Sequence, residues 1–426
     1  MKNIIYLILL SLSLISLSFA DSVRIIDSGD EAYHVRMQLI ESAKEEIQIS
    51  YFIFAQDTTA LEVLSLLRNK AREGVKIKVI IDEMFNHISN DVGAHLLAEN
   101  VLIKNFNKFN ILKLRRSIRY RMHDKMLIVD GHKAVLGGRN IEDTYFDRAK
   151  KNYDDRDIYV NGEMANKASI YFNNLWEAEH LTTFSPKKAI ASVGSETLDQ
   201  VGRNFISKSA LTSFDLSAWE LGATEVENVA LLHDPIAAKK TKMIGTAEGL
   251  YNLIKNAKTS VLIDSPYLIF TKELKKILKD AIARGVRVRI LTNSLKSTDA
   301  LLPQAGYIGQ RKKIVRMGIE LYEYFGEDSF HAKSMVVDNK IAAIGSFNFD
   351  PRSQNLNTET MVVIHDEKVT AALVESMDEN VSMAYKIDNR GRPEGQKSRL
   401  PGASLKKKVL TRLIQYLVAP LIKGLL

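Results

Sequence analysis

The chain has 426 residues, 46% hydrophobic and 26% charged, with a formal net charge of +8 and no cysteine. This length predicts two domains rather than one core, and the balance of apolar and charged residues excludes bulk disorder. The lack of cysteine excludes disulfides, thiol catalysis and zinc–cysteine sites, so any covalent chemistry needs another nucleophile.

The first 20 residues, MKNIIYLILLSLSLISLSFA, contain one lysine, an apolar run and small residues at Ser18 and Ala20. This pattern is typical of a cleaved secretory signal peptide, here residues 1–20. It predicts an exported protein, periplasmic or secreted and peripheral to a membrane. An uncleaved anchor is the alternative, although the run is shorter than the roughly 20 apolar residues of a membrane span.

An internal repeat follows. The segment LIESAKEEIQISYFIF (39–54) parallels LIKNAKTSVLIDSPYLIF (253–270), and AREGVKIKVII parallels IARGVRVRILT further along. Each copy has the pattern of a helix, a strand, a helix closed by glycine and a strand of β-branched residues, which predicts an α/β fold. The predicted boundaries are 21–195 for the first domain, 196–227 for a linker with connecting helices, and 228–389 for the second domain.

Each repeat also carries the motif HxKx4Dx6GxxN, as HDKMLIVDGHKAVLGGRN in the first and HAKSMVVDNKIAAIGSFN in the second. Residues two apart in a strand share a face, so His123 and Lys125 point together, as do His331 and Lys333. A lone His-x-Lys is common on protein surfaces, but two full matches are improbable by chance. The two copies therefore predict that these histidines and lysines belong to a functional site.

The other shared positions of the motif are Asp130 and Asp338, Gly137 and Gly345, and Asn140 and Asn348. The aspartates lie an odd number of positions after their histidine, which favours a structural role. The glycines permit a tight turn or the close approach of a ligand. The asparagines can donate amide hydrogens to an oxyanion.

The C-terminal tail, residues 390–426, holds nine lysines and arginines against one glutamate, so it accounts for the whole net charge and leaves the body nearly neutral. Its apolar residues at helical spacing are Val409, Leu410, Leu413, Ile414, Leu417 and Val418. Residues 404–426 are predicted to form a basic amphipathic helix on an anionic membrane surface. Packing of the apolar stripe against the body is the alternative.

The duplicated motif resembles that of the phospholipase D superfamily, closest to its cardiolipin synthase branch, over most of residues 21–385. The resemblance implies two similar α-β-α domains, each a mixed sheet flanked by helices, packed around one shared active site, so that a monomer suffices. It implies a phospholipid substrate and neither cofactor nor metal, so EDTA is expected to have no effect. It also implies that His123 attacks phosphorus to form a phosphohistidine while His331 serves as general acid and base.

The motif lysines and asparagines are expected to neutralise charge on the nonbridging phosphate oxygens. The resemblance further suggests a carboxylate partner for each ring, Glu359 for His331 and Asp157 for His123. Asp154 and Asp155 lie close to Asp157 in the sequence and are competing candidates.

The position after the motif glycine differs between the copies. Ser346 matches the Gly-Ser turn of the superfamily, whereas the first copy has Gly138 at that position and lacks the hydroxyl. Both positions are assigned to substrate binding.

Three activities fit this site chemistry. Cardiolipin synthase-like phosphatidyl transfer is favoured, and hydrolytic phospholipase D activity is one alternative. The other is a metal-independent endonuclease, for which Arg115, Arg116, Arg119 and Arg121 would contact phosphates. The nearly neutral body makes nucleic acid an unfavoured partner, and the intact histidines and lysines argue against an inactive scaffold.

Overall fold

The structure is a computed structural model that describes residues 20–107, 119–207, 214–235 and 245–418. The predicted signal peptide, apart from Ala20, lies outside the described residues, as do Arg115, Arg116 and the tail beyond residue 418.

The first half of the chain contains eleven strands and six helices among the described residues. The strands are β1 (Asp21–Ile26), β2 (Glu46–Tyr51), β3 (Lys76–Asp82), β4 (Val101–Phe106), β5 (Arg121–Met122), β6 (Met126–Val129), β7 (Lys133–Gly137), β8 (Tyr153–Asp154), β9 (Asp157–Asn161), β10 (Leu181–Thr183) and β11 (Thr224–Val226). The helices are α1 (Gly29–Ser42), α2 (Thr58–Arg72), α3 (Asn90–Ala98), α4 (Glu163–Trp176), α5 (Ala191–Ser207) and α6 (Leu216–Glu220).

The second half repeats this plan. Its strands are β12 (Val229–His233), β13 (Ser260–Asp264), β14 (Arg287–Asn293), β15 (Glu320–Tyr324), β16 (Ser329–Phe330), β17 (Ser334–Val337), β18 (Ile341–Gly345), β19 (Asn357–Thr358), β20 (Thr360–Ile364) and β21 (Ala384–Lys386). Its helices are α7 (Thr246–Asn256), α8 (Lys272–Ala283), α9 (Leu301–Val315), α10 (Pro351–Asn355), α11 (Glu367–Ser382) and α12 (Leu405–Leu413), the last continued by a π-helical turn, Ile414–Val418.

Two large mixed sheets have the same internal strand order. The first runs β10-β4-β3-β2-β6-β7-β9-β1-β11, and the second runs β12-β20-β18-β17-β13-β14-β15-β21. In each, three consecutive strands are parallel (β2, β3 and β4; β13, β14 and β15), and the motif hairpin pairs antiparallel beside them. The predicted α/β fold of two similar domains is confirmed.

The core has three layers of apolar side chains. Helices α1, α2 and α3 cover the outer face of the first sheet, and α7, α8 and α9 cover that of the second. The inner faces of both sheets share one cluster with α4 and α11, so that Ile128 and Leu136 belong to the same core as Val336 and Ile344. The two halves are thus joined by continuous apolar packing.

Each motif hairpin lies at the centre of its sheet. Strands β6 (MLIV) and β17 (SMVV) are buried at every position, as expected for short apolar strands covered on both faces. Asp130 and Asp338 end these strands with φ of 50° and 55°, and their carboxylates accept hydrogen bonds from consecutive backbone amides at 44–46 and 258–260. These contacts tie the hairpin to the start of the neighbouring strand, at the end opposite the histidine.

Two short parallel ladders connect the halves. Strand β5 pairs with β19, and β16 pairs with β8. Each ladder therefore joins the residues just before one motif histidine to a segment of the other half. Within the described residues, no helix is both long and apolar enough to cross a membrane.

Candidate active site

His123 is positioned by the ladder between β5 and β19. Arg121 lies opposite Asn357 and Met122 opposite Thr358, and the His123 amide continues the ladder by donating to the Thr358 carbonyl over 3.1 Å. The next residue of the second half is Glu359, whose Oε2 lies 2.8 Å from His123 Nδ1. Both side chains are buried.

His331 is positioned by the equivalent ladder. Ser329 pairs with Tyr153 and Phe330 with Asp154, and the His331 amide donates to the Asp154 carbonyl over 2.6 Å. Asp155 follows, and its Oδ2 lies 2.5 Å from His331 Nδ1. Each histidine thus takes its carboxylate from the other half, and each keeps Nε2 on the side away from that carboxylate.

This exchange corrects the pairing predicted from the sequence. Glu359 was assigned to His331 but contacts His123, and Asp157 was assigned to His123 but contacts neither ring. Asp157 is fully buried and accepts hydrogen bonds from Arg36 at 2.8 Å and Arg139 at 3.1 Å. It is the charge partner of two buried guanidinium groups.

The two lysines are as buried as the histidines. Lys125 donates from Nζ to the His123 carbonyl over 2.6 Å. Lys333 donates to the His331 carbonyl and lies 3.5 Å from Asp155 Oδ2. Burial lowers the pKa of Lys125 to about 7, although Glu359 acts in the opposite direction, and the charge of Lys333 lowers it further. The two copies of the motif therefore influence one another across a single site.

The buried environment also sets the protonation states of His123 and its partner Glu359. Burial lowers the pKa of His123 to about 4 against the opposing effect of Glu359. Burial raises the pKa of Glu359, but His123 and Lys125 outweigh it and hold that pKa at about 2. At neutral pH, His123 is thus a neutral imidazole that donates from Nδ1 to an ionised carboxylate, which leaves a lone pair on Nε2.

The pKa values of His331 and Asp155 shift in the same directions as those of His123 and Glu359. Burial and Lys333 lower the pKa of His331. Burial raises the pKa of Asp155, but Lys333 and then His331 reverse the effect and hold it below the usual range.

The motif asparagines have unequal surroundings. Asn140 donates one amide hydrogen from Nδ2 to the Tyr145 hydroxyl over 2.8 Å, and its Oδ1 accepts from the Ile53 amide. Asn348 is buried, and its Oδ1 has no hydrogen-bond partner among the described residues.

The motif glycines make room for protein rather than for a ligand. A Cβ on Gly137 would lie 1.9 Å from Asp157 Oδ1, and one on Gly345 would lie 2.1 Å from the Thr360 carbonyl. A Cβ on Gly138 would lie 2.0 Å from Asp155 Oδ1. A side chain at any of these positions would push away the strand or loop that carries the carboxylates.

Ser346 is fully buried, and its hydroxyl donates to Glu359 Oε2 over 2.5 Å while accepting from the Thr360 amide. Its predicted assignment to substrate is therefore corrected, since the hydroxyl holds the carboxylate of His123. Gly138, the equivalent residue, gives Asp155 space instead of a hydrogen bond.

Several residues around the site were not predicted from the sequence. Asp155 itself was only a neighbour of the chosen residue. The signal that identifies it is the ladder register, in which Gly137 faces Asp157 and Gly345 faces Met361. Counting back two positions from each partner gives Asp155 and Glu359 as equivalent residues.

Arg156 and Asp124 connect the halves beside the carboxylates. Arg156 is fully buried and donates to Asp27 over 2.6 Å and to the Ser334 hydroxyl over 2.9 Å, next to Lys333. Asp124 accepts from the Thr358 hydroxyl over 2.7 Å, next to Glu359. Both contacts fix the position of a carboxylate relative to the other half.

Aromatic rings surround the two histidines differently. Phe52 lies edge-on to His123 at 5.0 Å between ring centroids. His331 contacts Tyr145, Tyr153 and Tyr267 at 5.3, 5.0 and 5.9 Å. The hydrophobic and phenolic surroundings make the two halves of the site chemically distinct.

Of the four arginines that precede His123, Arg119 and Arg121 belong to the part of the chain that the structure describes. Arg121 is buried and pairs with Asp82 at 3.0 Å. Among the described residues, no group of three or more acidic or histidine side chains is arranged to hold a metal ion.

Comparison with known proteins identifies a family and several similar proteins. Residues 37–176 and 250–381, more than half of the chain, match the model of a family described as cardiolipin synthase, PLD-like domain. The chain is 26% identical over 451 residues to cardiolipin synthase C of Escherichia coli K12, across 92% of this chain and 94% of that protein. It is 27% identical over 410 residues to an uncharacterized protein of Helicobacter pylori J99, across 85% of this chain and 80% of that protein.

Among solved structures, phosphatidylserine synthase from Haemophilus influenzae Rd KW20 superposes with a TM-score of 0.70 at 15% identity, and the match covers 96% of this chain and 98% of that one. This likeness shows the shared fold.

Proposed function

The chain belongs to the phospholipase D-like family that includes the cardiolipin synthases, and from this premise we propose that it is a phospholipid phosphatidyltransferase that works through a covalent phosphohistidine. The favoured reaction is transfer of a phosphatidyl group from one phospholipid to the alcohol of another, as in cardiolipin synthesis. The relative named cardiolipin synthase C supports this reaction, since the match spans nearly the whole of both proteins.

One observation carries the proposal: two buried histidines are each bound at Nδ1 by a carboxylate from the other half, beside two buried lysines, and the charge of Lys333 acts on both rings. An imidazole held in this way has a defined tautomer and presents Nε2 to the substrate. The lysines supply positive charge where the phosphate oxygens would lie. Neither half contains a complete site.

The first step would use His123 as nucleophile. Its Nε2 forms a bond to phosphorus while the bond from phosphorus to the leaving oxygen breaks, and the Nε2 proton of His331 passes to that oxygen. A bound phosphodiester adds negative charge beside His331, which raises its pKa and favours the protonated form that this step needs. The products are a free alcohol and phosphatidyl-His123.

The second step reverses these roles. The Nε2 of His331, now neutral, takes the proton of the incoming alcohol, whose oxygen bonds to phosphorus as the bond to His123 Nε2 breaks. Water in place of the alcohol gives hydrolysis and phosphatidic acid, so the acceptor decides between transferase and phospholipase activity.

The test uses vesicles of phosphatidylglycerol, with and without phosphatidylethanolamine or added ethanol, and separate incubations with single-stranded and duplex DNA. We expect cardiolipin or phosphatidylethanol to form and DNA to remain intact. Release of phosphatidic acid alone would select hydrolysis, and shortened DNA would select the endonuclease. In a single turnover, mass spectrometry should locate the phosphatidyl adduct on His123, and its appearance on His331 would exchange the two roles.

A further inference from the structure

The tail helix α12 packs on the body through its polar side. Thr411 is buried against α9, and Lys407 donates from Nζ to the carbonyls of Lys296 at 3.1 Å and Thr298 at 2.9 Å. Both carbonyls belong to the loop between β14 and α9. This arrangement differs from the predicted alternative in which the apolar stripe packs against the body, because the helix is attached to the body with its apolar stripe turned outward.

The loop that receives Lys407 leads directly to the active site. Its next residue is Asp299, which accepts a hydrogen bond from the Tyr267 hydroxyl at 2.8 Å and one from Tyr153 at 3.3 Å. Both rings contact His331. The attached side of the helix is therefore linked to the His331 side of the site by a short chain of contacts.

The opposite side of α12 is apolar and exposed. Leu405, Val409 and Leu413 follow at four-residue spacing and are 76%, 51% and 51% exposed. At 3.6 residues per turn, these three side chains lie on the face opposite Thr411. Lys406 and Arg412, both exposed, lie on either side of this stripe.

The positive charge of this region indicates which kind of partner would cover the apolar stripe. From residue 395 to 418 the tail carries no acidic residue, whereas lysines and arginines recur throughout it. A second copy would bring the same positive charge against it and be repelled. An anionic bilayer offers both complementary charge and an apolar interior for the three side chains.

We propose that α12 docks on an anionic phospholipid surface with Leu405, Val409 and Leu413 inserted, and that the Lys407 contact thereby holds the His331 side of the site at that surface. This deepens the proposed function by specifying how the site meets a lipid substrate. The docking itself does not depend on turnover, so the two can fail separately.

The docking test is flotation of the full chain with vesicles of equal parts phosphatidylglycerol and phosphatidylcholine, compared with phosphatidylcholine alone. The test variant is Leu405→Ser, Val409→Ser, Leu413→Ser. The matched control replaces three exposed apolar residues elsewhere, Leu102→Ser, Ile190→Ser, Leu221→Ser, whose exposures are 44%, 59% and 88%.

The test variant should lose at least tenfold in partition to anionic vesicles, while the control stays within twofold of the parent and neutral vesicles bind neither. Equal binding by the test variant and the parent would overturn the proposal. So would a concentration-dependent dimer of the parent that the test variant loses without any change in vesicle binding.

The link to the site is tested with Lys407→Met, which keeps the apolar stripe. This variant should bind anionic vesicles like the parent and turn over a soluble short-chain phosphatidylglycerol at the parental rate, but its turnover on vesicles should fall several-fold. Parental turnover on vesicles would refute the orienting role of Lys407. If no protein turns over any lipid, flotation still decides the docking proposal.

Discussion

Replacing Glu359 with glutamine should slow formation of the phosphohistidine more than any other step. The Glu359 carboxyl has a pKa of about 2 in place of 4.5, chiefly because His123 outweighs the effect of burial. That difference corresponds to about 3 kcal/mol of preference for the charged form beside His123. His123 becomes cationic as its Nε2 bonds to phosphorus, so Glu359→Gln loses a stabilisation of this size in the transition state. A loss of about 3 kcal/mol lowers the rate about two hundredfold.

The assay is a single turnover of short-chain phosphatidylglycerol, quenched in alkali to preserve the P–N bond, with the adduct measured by mass spectrometry. Ser346→Ala is the matched comparison, because it keeps the carboxylate and removes only the hydroxyl that donates to it over 2.5 Å. The hydrogen bond from Ser346 to Glu359 is present before the reaction begins, and only interactions that strengthen in the transition state change the rate. Ser346→Ala should therefore slow the same step much less than Glu359→Gln.

Thermal unfolding followed by circular dichroism would separate these effects from loss of the fold. A Glu359→Gln protein that folds normally and forms the adduct within tenfold of the parental rate would refute the assignment of Glu359 to His123. The same conclusion would follow if the variant slowed only the breakdown of the adduct.

Three further predictions concern the same site. His123→Asn and His331→Asn should each abolish turnover while leaving the unfolding midpoint nearly unchanged, and measurable turnover in either folded variant would contradict the two-histidine mechanism. A profile of kcat/KM against pH should fall on the acid side only toward pH 4, where His123 becomes protonated. On the alkaline side it should fall as His331, whose pKa is lowered from 6.5 by burial and by Lys333, loses the proton that the first step needs, and again near pH 7, where Lys125 loses the charge that attracts phosphate; an acid limb at pH 6.5 would show an unperturbed His123 instead. Asp155→Asn should lower kcat at least a hundredfold in a folded protein, whereas Asp157→Asn should chiefly destabilise the fold, by about 3 to 5 kcal/mol, because it leaves buried arginines without their charge partner; urea unfolding and steady-state kinetics of both variants would reveal an inverted order.

The architecture was accessible from the sequence because the repeat is local. Apolar strands, glycine-closed helices and the His-x-Lys spacing are short-range patterns, and they predicted two similar domains that each carry one motif histidine and one motif lysine. The strands MLIV and SMVV, which contain four and three apolar residues, are buried at every position, as expected for the centre of such a sheet.

The pairing of histidines with carboxylates was not accessible in the same way. His123 and Glu359 are 236 residues apart, and the contact depends on a two-residue ladder between the halves that leaves no periodic pattern. A prediction confined to one copy therefore kept each carboxylate with its own histidine. Among three nearby aspartates, spacing could not separate Asp155 from Asp157, whereas the register of the sheet does.

The outward apolar stripe of α12 shows a second feature that the sequence alone did not predict. Helical spacing identified the apolar side chains of the tail, but only the position of Thr411 and the contacts of Lys407 show which side faces the body. An amphipathic helix need not bury its apolar side when its polar side finds partners of its own.

The exchange of carboxylates between the halves also affects when each histidine pair can form during translation of the chain. His123 emerges from the ribosome early, yet the residue that fixes its tautomer and balances its charge belongs to the last sixth of the chain. A polypeptide truncated before residue 359 would therefore carry His123 without the carboxylate that binds its Nδ1. The order of residues along the chain therefore delays assembly of the pair between His123 and Glu359 until most of the protein has been made.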